Sequence, residues 1–192
     1  MQITLEGING SGELWVDIMK IICGDTAKQS MVDLGCHLAP YTPLLGFRER
    51  TYVDVQDRPL DHADEKKWLV QSDVVDFLKS TNNFYDTAIA SDLIEHLSKE
   101  RGKEMLTLME YRSHKQIIFT PLGAWMISED KHPDSHLSGW IPEMLPDYVS
   151  IVLPDFHPTL TVGAFFSFNC SGIEKERIIN EIKIKYAFYD KD

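Results

Sequence analysis

Apolar residues recur at helical spacing within Glu13–Ile22 and predict an amphipathic helix near the start of the chain. Ser11 can cap its first turn, and Gly24 can end it. Five short apolar runs follow, and several of them finish on an acidic residue. These runs predict strands at Met31–Gly35, Thr51–Val55, Trp68–Asp73, Tyr85–Asp92 and Gln116–Thr120.

Helical patterns separate the later strands. One covers Val74–Lys79, and a longer one runs from about Leu93 to Tyr111, with Gly102 expected to break it into two pieces. Two further strands, listed here by their bounds, come late and have no long helical pattern between them: Tyr148–Leu153 and Thr161–Asn169. Such a pair predicts an antiparallel hairpin at the edge of a sheet.

Strands that alternate with helices indicate a parallel sheet with right-handed crossovers. We therefore predict a doubly wound, Rossmann-like α/β fold with a seven-stranded, mostly parallel sheet and an antiparallel C-terminal hairpin. The absence of linkers and repeats favours a single domain over residues 1–192. The tail Ile173–Phe188 has helical spacing first and strand-like alternation later, so its docking partner stays open.

Composition narrows the function classes. Hydrophobic residues make up 43% and charged residues 26% of the 192 residues, a globular balance. The formal net charge of -11 and the scattered Lys and Arg residues disfavour a nucleic-acid partner. Three dispersed cysteines predict no disulfide framework. Without a signal-peptide pattern or a membrane-length apolar run, we expect a cytoplasmic protein with no membrane insertion.

Acidic residues end four consecutive predicted strands: Asp33, Asp54, Asp73 and Asp92. Any one of them alone would more often be a solvated surface group. Together, at the ligand-binding edge of a doubly wound sheet, they predict a site that accepts hydrogen bonds from hydroxyls, an amino group or a cation. A phosphate-rich cofactor would need backbone N–H groups and basic residues, and no glycine-rich phosphate loop is present.

The order and spacing of these motifs resemble class I S-adenosylmethionine-dependent methyltransferases. The resemblance extends over roughly 30–169, and its most specific piece is the Asp-x-Ile-Glu-His-Leu signature at 92–97, similar to methyltransferase type 11. The motifs that carry it are Asp33-Leu34-Gly35-Cys36, Tyr52-Val53-Asp54-Val55, Ser72-Asp73-Val74, Tyr85–Leu97 and Ile117-Ile118-Phe119-Thr120-Pro121. It implies S-adenosylmethionine as the cofactor.

The resemblance also implies roles for the turn after the first strand of this series. Asp33 and Gly35 would shape the turn around the methionine portion of the cofactor, and Asp54 would accept hydrogen bonds from the ribose hydroxyls. The family usually has a second glycine where His37 stands, because the backbone passes close to the cofactor there. The imidazole can point away as a tolerated variation, or it can crowd the methionine carboxylate and alter binding or activity.

Later motifs complete the implied cofactor site. Asp73 would meet the adenine amino group, with Val74 beside the ring. Ser91 and Asp92 would lie along the methionine arm near the sulfonium.

His96 is the general-base candidate. An acceptor hydroxyl must lose its proton, and imidazole suits that task near neutral pH. The alternative is that His96 only packs where the helix begins after the fourth strand of the series, since the Glu-His-Leu pattern recurs in the family whatever the acceptor is.

The polar segment Leu122–Pro146 follows the fifth predicted strand and can cover an acceptor. His136 and Trp140 are the candidate substrate contacts, although Trp140 can equally be a core residue. His132, Asp134 and His136 could also be metal ligands. Pro133 prevents a regular helix that would align them, so we expect no metal site.

The predicted function is methyl transfer from S-adenosylmethionine to an oxygen or nitrogen nucleophile of a small-molecule or glycan-type acceptor. The alternative is a non-catalytic binding module with an altered cofactor turn, an idea motivated by His37. A nicotinamide-dependent oxidoreductase would share the fold but lacks the glycine pattern for a pyrophosphate.

Overall fold

One mixed sheet organises the computed structural model, which describes residues 1–57, 60–61, 68–128, 132, 135–157 and 159–186. Within these ranges the sheet has eight strands in the order β1-β7-β8-β6-β5-β2-β3-β4. The strands are β1 (Gln2–Thr4), β2 (Ser30–Leu34), β3 (Glu49–Asp54), β4 (Leu69–Gln71), β5 (Tyr85–Ser91), β6 (Ser113–Pro121), β7 (Val149–His157) and β8 (Val162–Asn169).

The predicted α/β fold class is confirmed, with one strand more than the seven expected. Residues Gln2–Thr4 form the additional strand, which pairs in parallel with β7. Three residues are too short for a recognisable alternation of apolar and polar positions, so the sequence pattern did not indicate them. The hairpin of β7 and β8 is antiparallel as predicted, but β1 covers it, so the hairpin does not form the edge.

Four α-helices cover the two faces of the sheet in the described ranges: α1 (Gly12–Cys23), α2 (Val74–Ser80), α3 (Lys99–Arg112) and α4 (Gly172–Lys185). The predicted ends of α1 are confirmed. The Ser11 hydroxyl accepts the Leu14 N–H at 3.1 Å, and Gly24 ends the helix with a φ of 74°. A glycine suits this position because a side chain disfavours positive φ.

The predicted helix break at Gly102 is wrong. The break lies earlier, where a 3₁₀ turn at Ile94–His96 ends and the Ser98 hydroxyl caps α3 by accepting the Arg101 N–H at 3.3 Å. Gly102 continues the helix because its missing side chain makes room for the Trp140 ring. A Cβ at residue 102 would approach the Trp140 Cζ2 atom to 2.5 Å. Packing therefore outweighs the low helix propensity of glycine here.

The C-terminal tail docks on this domain through α4. Ile178 and Ile182 are fully buried in the same core as α1, and Lys185 pairs with Asp17 of α1 at 2.8 Å. The expected strand-like continuation at Ala187 and Phe188 lies outside the described residues.

A buried lysine joins α1 and α4 to the sheet. Lys115 of β6 is 3% exposed, and its ammonium donates to the carbonyls of Ile22 and Cys23 at 2.9 and 3.0 Å. It also pairs with Glu174 in the first turn of α4 at 2.9 Å. These carbonyls end α1, where the helix dipole favours a cation.

Within the described residues, no helix combines the length and the apolar composition that a bilayer crossing needs.

We predict that Gly102→Ala destabilises the protein by about 1–3 kcal/mol, the usual cost of overpacking a filled core. Urea unfolding followed by circular dichroism measures this change. The control is Gly172→Ala at the start of α4, where a Cβ meets nothing within 4 Å. That substitution should leave the stability unchanged or raise it by up to about 1 kcal/mol. Equal effects at both positions would contradict the packing explanation.

Candidate functional site

The strand ends enclose a cavity of about 870 Å³ at the carboxyl edge of the sheet. This volume falls in the range of sites that bind cofactors and small molecules. Its lining includes His96 and all seven residues predicted to hold the cofactor: Asp33, Gly35, Asp54, Asp73, Val74, Ser91 and Asp92. Asp33 and His96 are 63 positions apart in the chain, yet both face this cavity because β2, β3, β4 and β5 run in parallel.

The turn after β2 is closely packed at Gly35 and has the backbone geometry that favours a glycine there. Gly35 has a φ of 65°, and a Cβ there would lie 2.5 Å from the Leu93 side chain. Its N–H donates to the Val53 carbonyl of β3 at 2.7 Å, which holds the turn against the sheet. His37 also has a positive φ of 48°. This left-handed conformation explains why a glycine would suit residue 37, and histidine adopts it more readily than most residues.

His37 is exposed and belongs to the cavity lining, and its backbone N–H points at the end of β3. That N–H donates to Asp54 Oδ2 at 2.9 Å, and the Gln56 N–H donates to Asp54 Oδ1 at 2.8 Å. Both carboxylate oxygens are therefore oriented by backbone groups. Each oxygen retains further lone-pair capacity, so the side chain can still accept hydrogen bonds from a diol.

Asp73 has a second task besides facing the cavity. Its Oδ1 caps α2 by accepting the N–H groups of Val75 and Asp76 at 2.9 and 3.1 Å, and it pairs with Arg101 of α3 at 2.6 Å. Among the described residues these bonds all fall on Oδ1, which leaves Oδ2 for a ligand amino group. Val74 follows directly and is buried beside the cavity.

The turn after β5 carries three acidic or basic side chains within five residues. Asp92 has a φ of 48°, and its N–H donates to the Phe119 carbonyl at 2.9 Å. Its side chain is exposed on the cavity wall, whereas Glu95 is 3% exposed and accepts the Thr120 hydroxyl at 2.9 Å. Asp92 is open to the cavity, but the surrounding walls restrict its hydration and raise the pKa of its carboxyl group. Burial raises the pKa of the Glu95 carboxyl group, and the Asp92 charge raises it further.

The His96 ring lines the cavity and touches the His136 ring edge-on, with the ring centres 4.8 Å apart. Its Nδ1 faces the Ser135 carbonyl at 3.2 Å. His136 does not line the cavity. It stands behind His96, with its Nδ1 2.9 Å from the Trp125 carbonyl, so its predicted acceptor contact would require an acceptor that reaches past His96.

Trp140 lies in the core and is not part of the cavity lining, which corrects its prediction as a substrate contact. The side chain is 1% exposed, and its indole N–H donates to the Ser138 hydroxyl at 2.8 Å and the Ile94 carbonyl at 3.2 Å. Trp140 is therefore a core residue, the alternative that the sequence analysis left open. The physical reason is the space above Gly102, which the ring fills.

The histidine cluster differs from the one considered on sequence grounds. His132 is described, whereas Asp134 lies outside the described residues, so that triad has no geometry here. Instead, single ligand atoms of Glu95, His96 and His136 lie within 4.8 Å of one another. The prediction of no metal site did not consider this set, because 40 residues separate His96 from His136 and only the fold brings them together.

The cavity also has an N-terminal wall that the sequence pattern did not indicate. Gly10–Gly12 and Trp15 form part of this wall and pack against Tyr41 and Phe156, which also line the cavity. A Cβ at Gly12 would lie 2.4 Å from the Tyr41 ring, and one at Gly10 would lie 2.6 Å from the Phe156 carbonyl. The Gly-Ser-Gly run could have signalled this close approach, because glycines outside a turn often mark tight packing.

Burial of Asp33 has a consequence for stability. Its side chain is 3% exposed, and burial raises its pKa to about 7 despite a hydrogen bond from the Thr42 hydroxyl at 2.7 Å. The folded protein therefore holds this proton more tightly than the unfolded chain, whose pKa is near 3.8. By linkage, the free energy of unfolding falls as the pH rises from about 4 to about 7.

We predict that Asp33→Asn raises the free energy of unfolding by about 1–4 kcal/mol at pH 8, since each pKa unit is worth about 1.4 kcal/mol. The gain should shrink as the pH falls towards 5. Urea unfolding at pH 5, 6.5 and 8 measures it, with Asp147→Asn as the exposed control. A gain independent of pH would contradict the buried-carboxyl explanation.

No protein-family model matches the chain, and no curated protein matches it. Solved structures do match, with 83% of this chain covered in each of three cases. A methyltransferase described as S-adenosylmethionine-dependent, from Archaeoglobus fulgidus, is 18% identical over 95% of its chain, with a TM-score of 0.55. The N-methyltransferase NodS from Bradyrhizobium japonicum is 14% identical over 96% of its chain, with a TM-score of 0.62.

The third is magnesium protoporphyrin IX methyltransferase from Synechocystis with bound S-adenosylmethionine, 14% identical over 80% of its chain, with a TM-score of 0.57. At these identities the likeness establishes the fold. The chain has the class I fold of S-adenosylmethionine-dependent methyltransferases.

Proposed function

We propose that the protein is an S-adenosylmethionine-dependent methyltransferase that acts on an oxygen or nitrogen nucleophile of a small-molecule or glycan-type acceptor. The observation that carries this proposal is the single cavity lined by the four strand-end acids at the carboxyl edge of a methyltransferase-type sheet. The neighbour from Synechocystis was crystallised with S-adenosylmethionine, which supports the same cofactor here. The similarity of residues 92–97 to methyltransferase type 11 is part of the proposal.

The proposed cofactor pose follows the polarity of the cavity wall. Asp54 would accept both ribose hydroxyls, and Asp73 would accept the adenine amino group through Oδ2. The backbone turn around Gly35 would surround the methionine portion, with Ser91 and Asp92 towards the sulfonium. A carboxylate near a sulfonium also favours the cationic methyl donor over the neutral product on electrostatic grounds.

The acceptor would occupy the remainder of the cavity, whose wall is aromatic. Trp15, Tyr41, Phe119 and Phe156 line it together with His157. Such a wall favours a small molecule or a sugar ring, since both pack flat faces against aromatic side chains. The net charge of -11 disfavours a nucleic-acid acceptor.

Methyl transfer needs alignment of the nucleophile with the methyl group, because the sulfonium leaving group is already activated. For a hydroxyl acceptor, we propose that His96 removes the proton. A carbonyl oxygen only accepts hydrogen bonds, so the contact with Ser135 assigns the hydrogen to Nδ1 in the neutral ring. The Nε2 atom then carries the lone pair that a base requires.

The alternative of a non-catalytic module rests on His37. The backbone at residue 37 has the left-handed φ that a glycine would supply, and its N–H orients Asp54. This preserved backbone geometry supports the interpretation of His37 as a tolerated variation, while its place in the cavity lining leaves open a contact with the methionine carboxylate.

Isothermal titration calorimetry with S-adenosylmethionine tests the cofactor. We predict saturable binding that Asp54→Ala weakens by about 1.5–3 kcal/mol, the value of hydrogen bonds to a charged group. Asp147→Ala, which changes an exposed acid away from the cavity lining, should bind like the wild type. Absence of binding by the folded wild-type protein would exclude the proposed activity, and unchanged affinity in Asp54→Ala would exclude the ribose contact.

A panel of hydroxylated and amino-bearing small molecules and oligosaccharides, with S-adenosylhomocysteine release as the readout, identifies the acceptor. On a hydroxyl acceptor, His96→Ala should lower turnover by roughly 10²–10⁴, the contribution typical of general-base catalysis. Cofactor affinity should stay unchanged. The control is His114→Ala, an exposed histidine at the opposite edge of the sheet. Equal turnover of His96→Ala and wild type at saturating cofactor would leave His96 only a packing role.

A further inference from the structure

The side chains of Glu95, His96 and His136 converge just behind the cavity wall, and of the three His96 belongs to the cavity lining. One potential ligand atom of each lies within 4.8 Å of the other two. Zinc-type ions hold nitrogen and oxygen ligands at about 2.0–2.2 Å, so tetrahedral ligands stand about 3.4 Å apart. Side-chain rotations that shorten these separations by up to about 1.4 Å would bring the three atoms to coordination distance.

Both histidines have the outer contact that metal-binding histidines usually have. Nδ1 of His96 faces the Ser135 carbonyl, and Nδ1 of His136 faces the Trp125 carbonyl. Since a carbonyl only accepts, each neutral ring keeps its hydrogen on Nδ1 and its lone pair on Nε2. A ligating imidazole typically donates its other N–H to a backbone carbonyl, which fixes its tautomer and its orientation. This observation is independent of the distances among the three side chains.

Backbone hydrogen bonds hold the turn that carries Glu95 and His96 against the segment that carries His136. The Glu95 carbonyl accepts the N–H groups of Leu137 and Ser138 at 2.7 and 3.0 Å, so the segment with His136 is pinned to the turn with His96. The Ser138 hydroxyl adds a bond to the Leu97 carbonyl at 2.8 Å. On the side-chain level, the Thr120 hydroxyl orients the Glu95 carboxyl group. Ligands fixed in this way lose little conformational freedom when an ion binds.

The electrostatics of the cluster favour a cation. Glu95 is buried next to the acidic Asp92, and among the described residues no lysine or arginine forms an ion pair with Glu95. A buried carboxyl group without a nearby positive charge is costly to ionise. A divalent ion would supply that positive charge directly.

We propose that Glu95, His96 and His136 bind a divalent transition-metal ion whose open coordination positions face the methyl-acceptor side of the cavity. Two imidazoles and one carboxylate suit zinc, cobalt, manganese or iron(II) better than magnesium or calcium, which prefer oxygen ligands. Three protein ligands leave positions open for a further oxygen donor, as in catalytic rather than structural metal sites.

The role of the ion in catalysis rests on the proposed methyltransferase function, whereas the binding of the ion does not. An acceptor hydroxyl bound to the ion would lose its proton to solvent water more readily, because the ion stabilises the resulting oxyanion. The methyl carbon would then form its bond to this oxygen while its bond to the sulfonium breaks and the electron pair stays on sulfur. The substrate class would be hydroxylated acceptors whose oxygen can coordinate the ion. In the metal-loaded protein His96 would serve as a ligand and the ion would activate the hydroxyl, so the role of His96 as the base would apply to the metal-free protein.

Cobalt(II) is the probe, because its visible absorption reports nitrogen coordination directly. Tag-free, chelator-treated full-length protein is titrated with Co²⁺ and followed by absorption spectroscopy and calorimetry. We expect saturation at one ion per chain. His136→Ala and Glu95→Gln should each weaken binding by at least about tenfold, the lower end for changes around a metal site. Glu95→Gln keeps the side-chain shape and an acceptor for Thr120, and circular dichroism verifies that each variant is folded.

His114→Ala is the matched control, since it removes an exposed histidine at the opposite edge of the sheet and should bind Co²⁺ like the wild type. No saturable binding by the wild type, or wild-type affinity in folded His136→Ala, would overturn the proposal. Calorimetry with S-adenosylmethionine on the metal-free protein separates the two proposals. Cofactor binding without cobalt binding overturns only the metal site, and cobalt binding without cofactor binding overturns only the methyltransferase function.

Once an acceptor hydroxyl is identified, chelation distinguishes the two roles of His96. If His96 is a metal ligand, a chelator should lower turnover at least about tenfold, and added Co²⁺ or Mn²⁺ should restore it. Full turnover in the presence of the chelator would instead favour His96 as the base and overturn the catalytic role of the ion.

Discussion

Parallel pairing of the central strands is the constraint on which the site depends. Strand β2 pairs in parallel with β3 on one side and with β5 on the other, in registers that align Leu34 with Val53 and with Ala90. All three strands therefore end at the same height. The residues that follow them, polar because they leave the core, must face the same space. A shift of register would separate these strand ends and expose apolar side chains.

Identical residue types then acquire different properties from their surroundings. Asp33 is buried below the turn and has a raised pKa, whereas Asp54 is oriented by two backbone N–H groups. Asp73 divides its carboxylate between a helix cap and the cavity. An acid that faces the cavity and a buried acid cannot be told apart by residue type, because hydration and hydrogen bonding decide their behaviour.

The turn at 94–97 links the cavity to the segment that follows β6. Its backbone carbonyls accept bonds from Leu137, Ser138 and Trp140, while its His96 side chain lines the cavity and its Glu95 side chain is buried behind it. The same short turn thus anchors a neighbouring segment and presents chemistry to the cavity. This dual use explains how a residue as distant in sequence as His136 comes to lie against His96. It also explains why Trp140, two residues beyond the anchored Ser138, is drawn into the core.

Much of the fold and of the cavity lining follows from the sequence alone. Periodicity located the later strands and the helices, and acids at the ends of four consecutive predicted strands indicated a shared edge. Local sequence patterns and parallel topology suffice for both predictions. The three-residue strand Gln2–Thr4 and the continuous helix through Gly102 did not follow. In each case a tertiary partner, β7 or Trp140, outweighs the local signal.

The sequence by itself determined the fold class and the set of polar residues at the carboxyl edge, since both depend on patterns within a few neighbouring residues. Only the tertiary structure decided that Trp140 is core, that Gly10–Gly12 form a cavity wall, and that Glu95, His96 and His136 converge. The physical reason is the same for all three. Contacts between distant segments depend on how loops fold back over the sheet, and loop paths are set by specific hydrogen bonds and packing rather than by a repeating pattern.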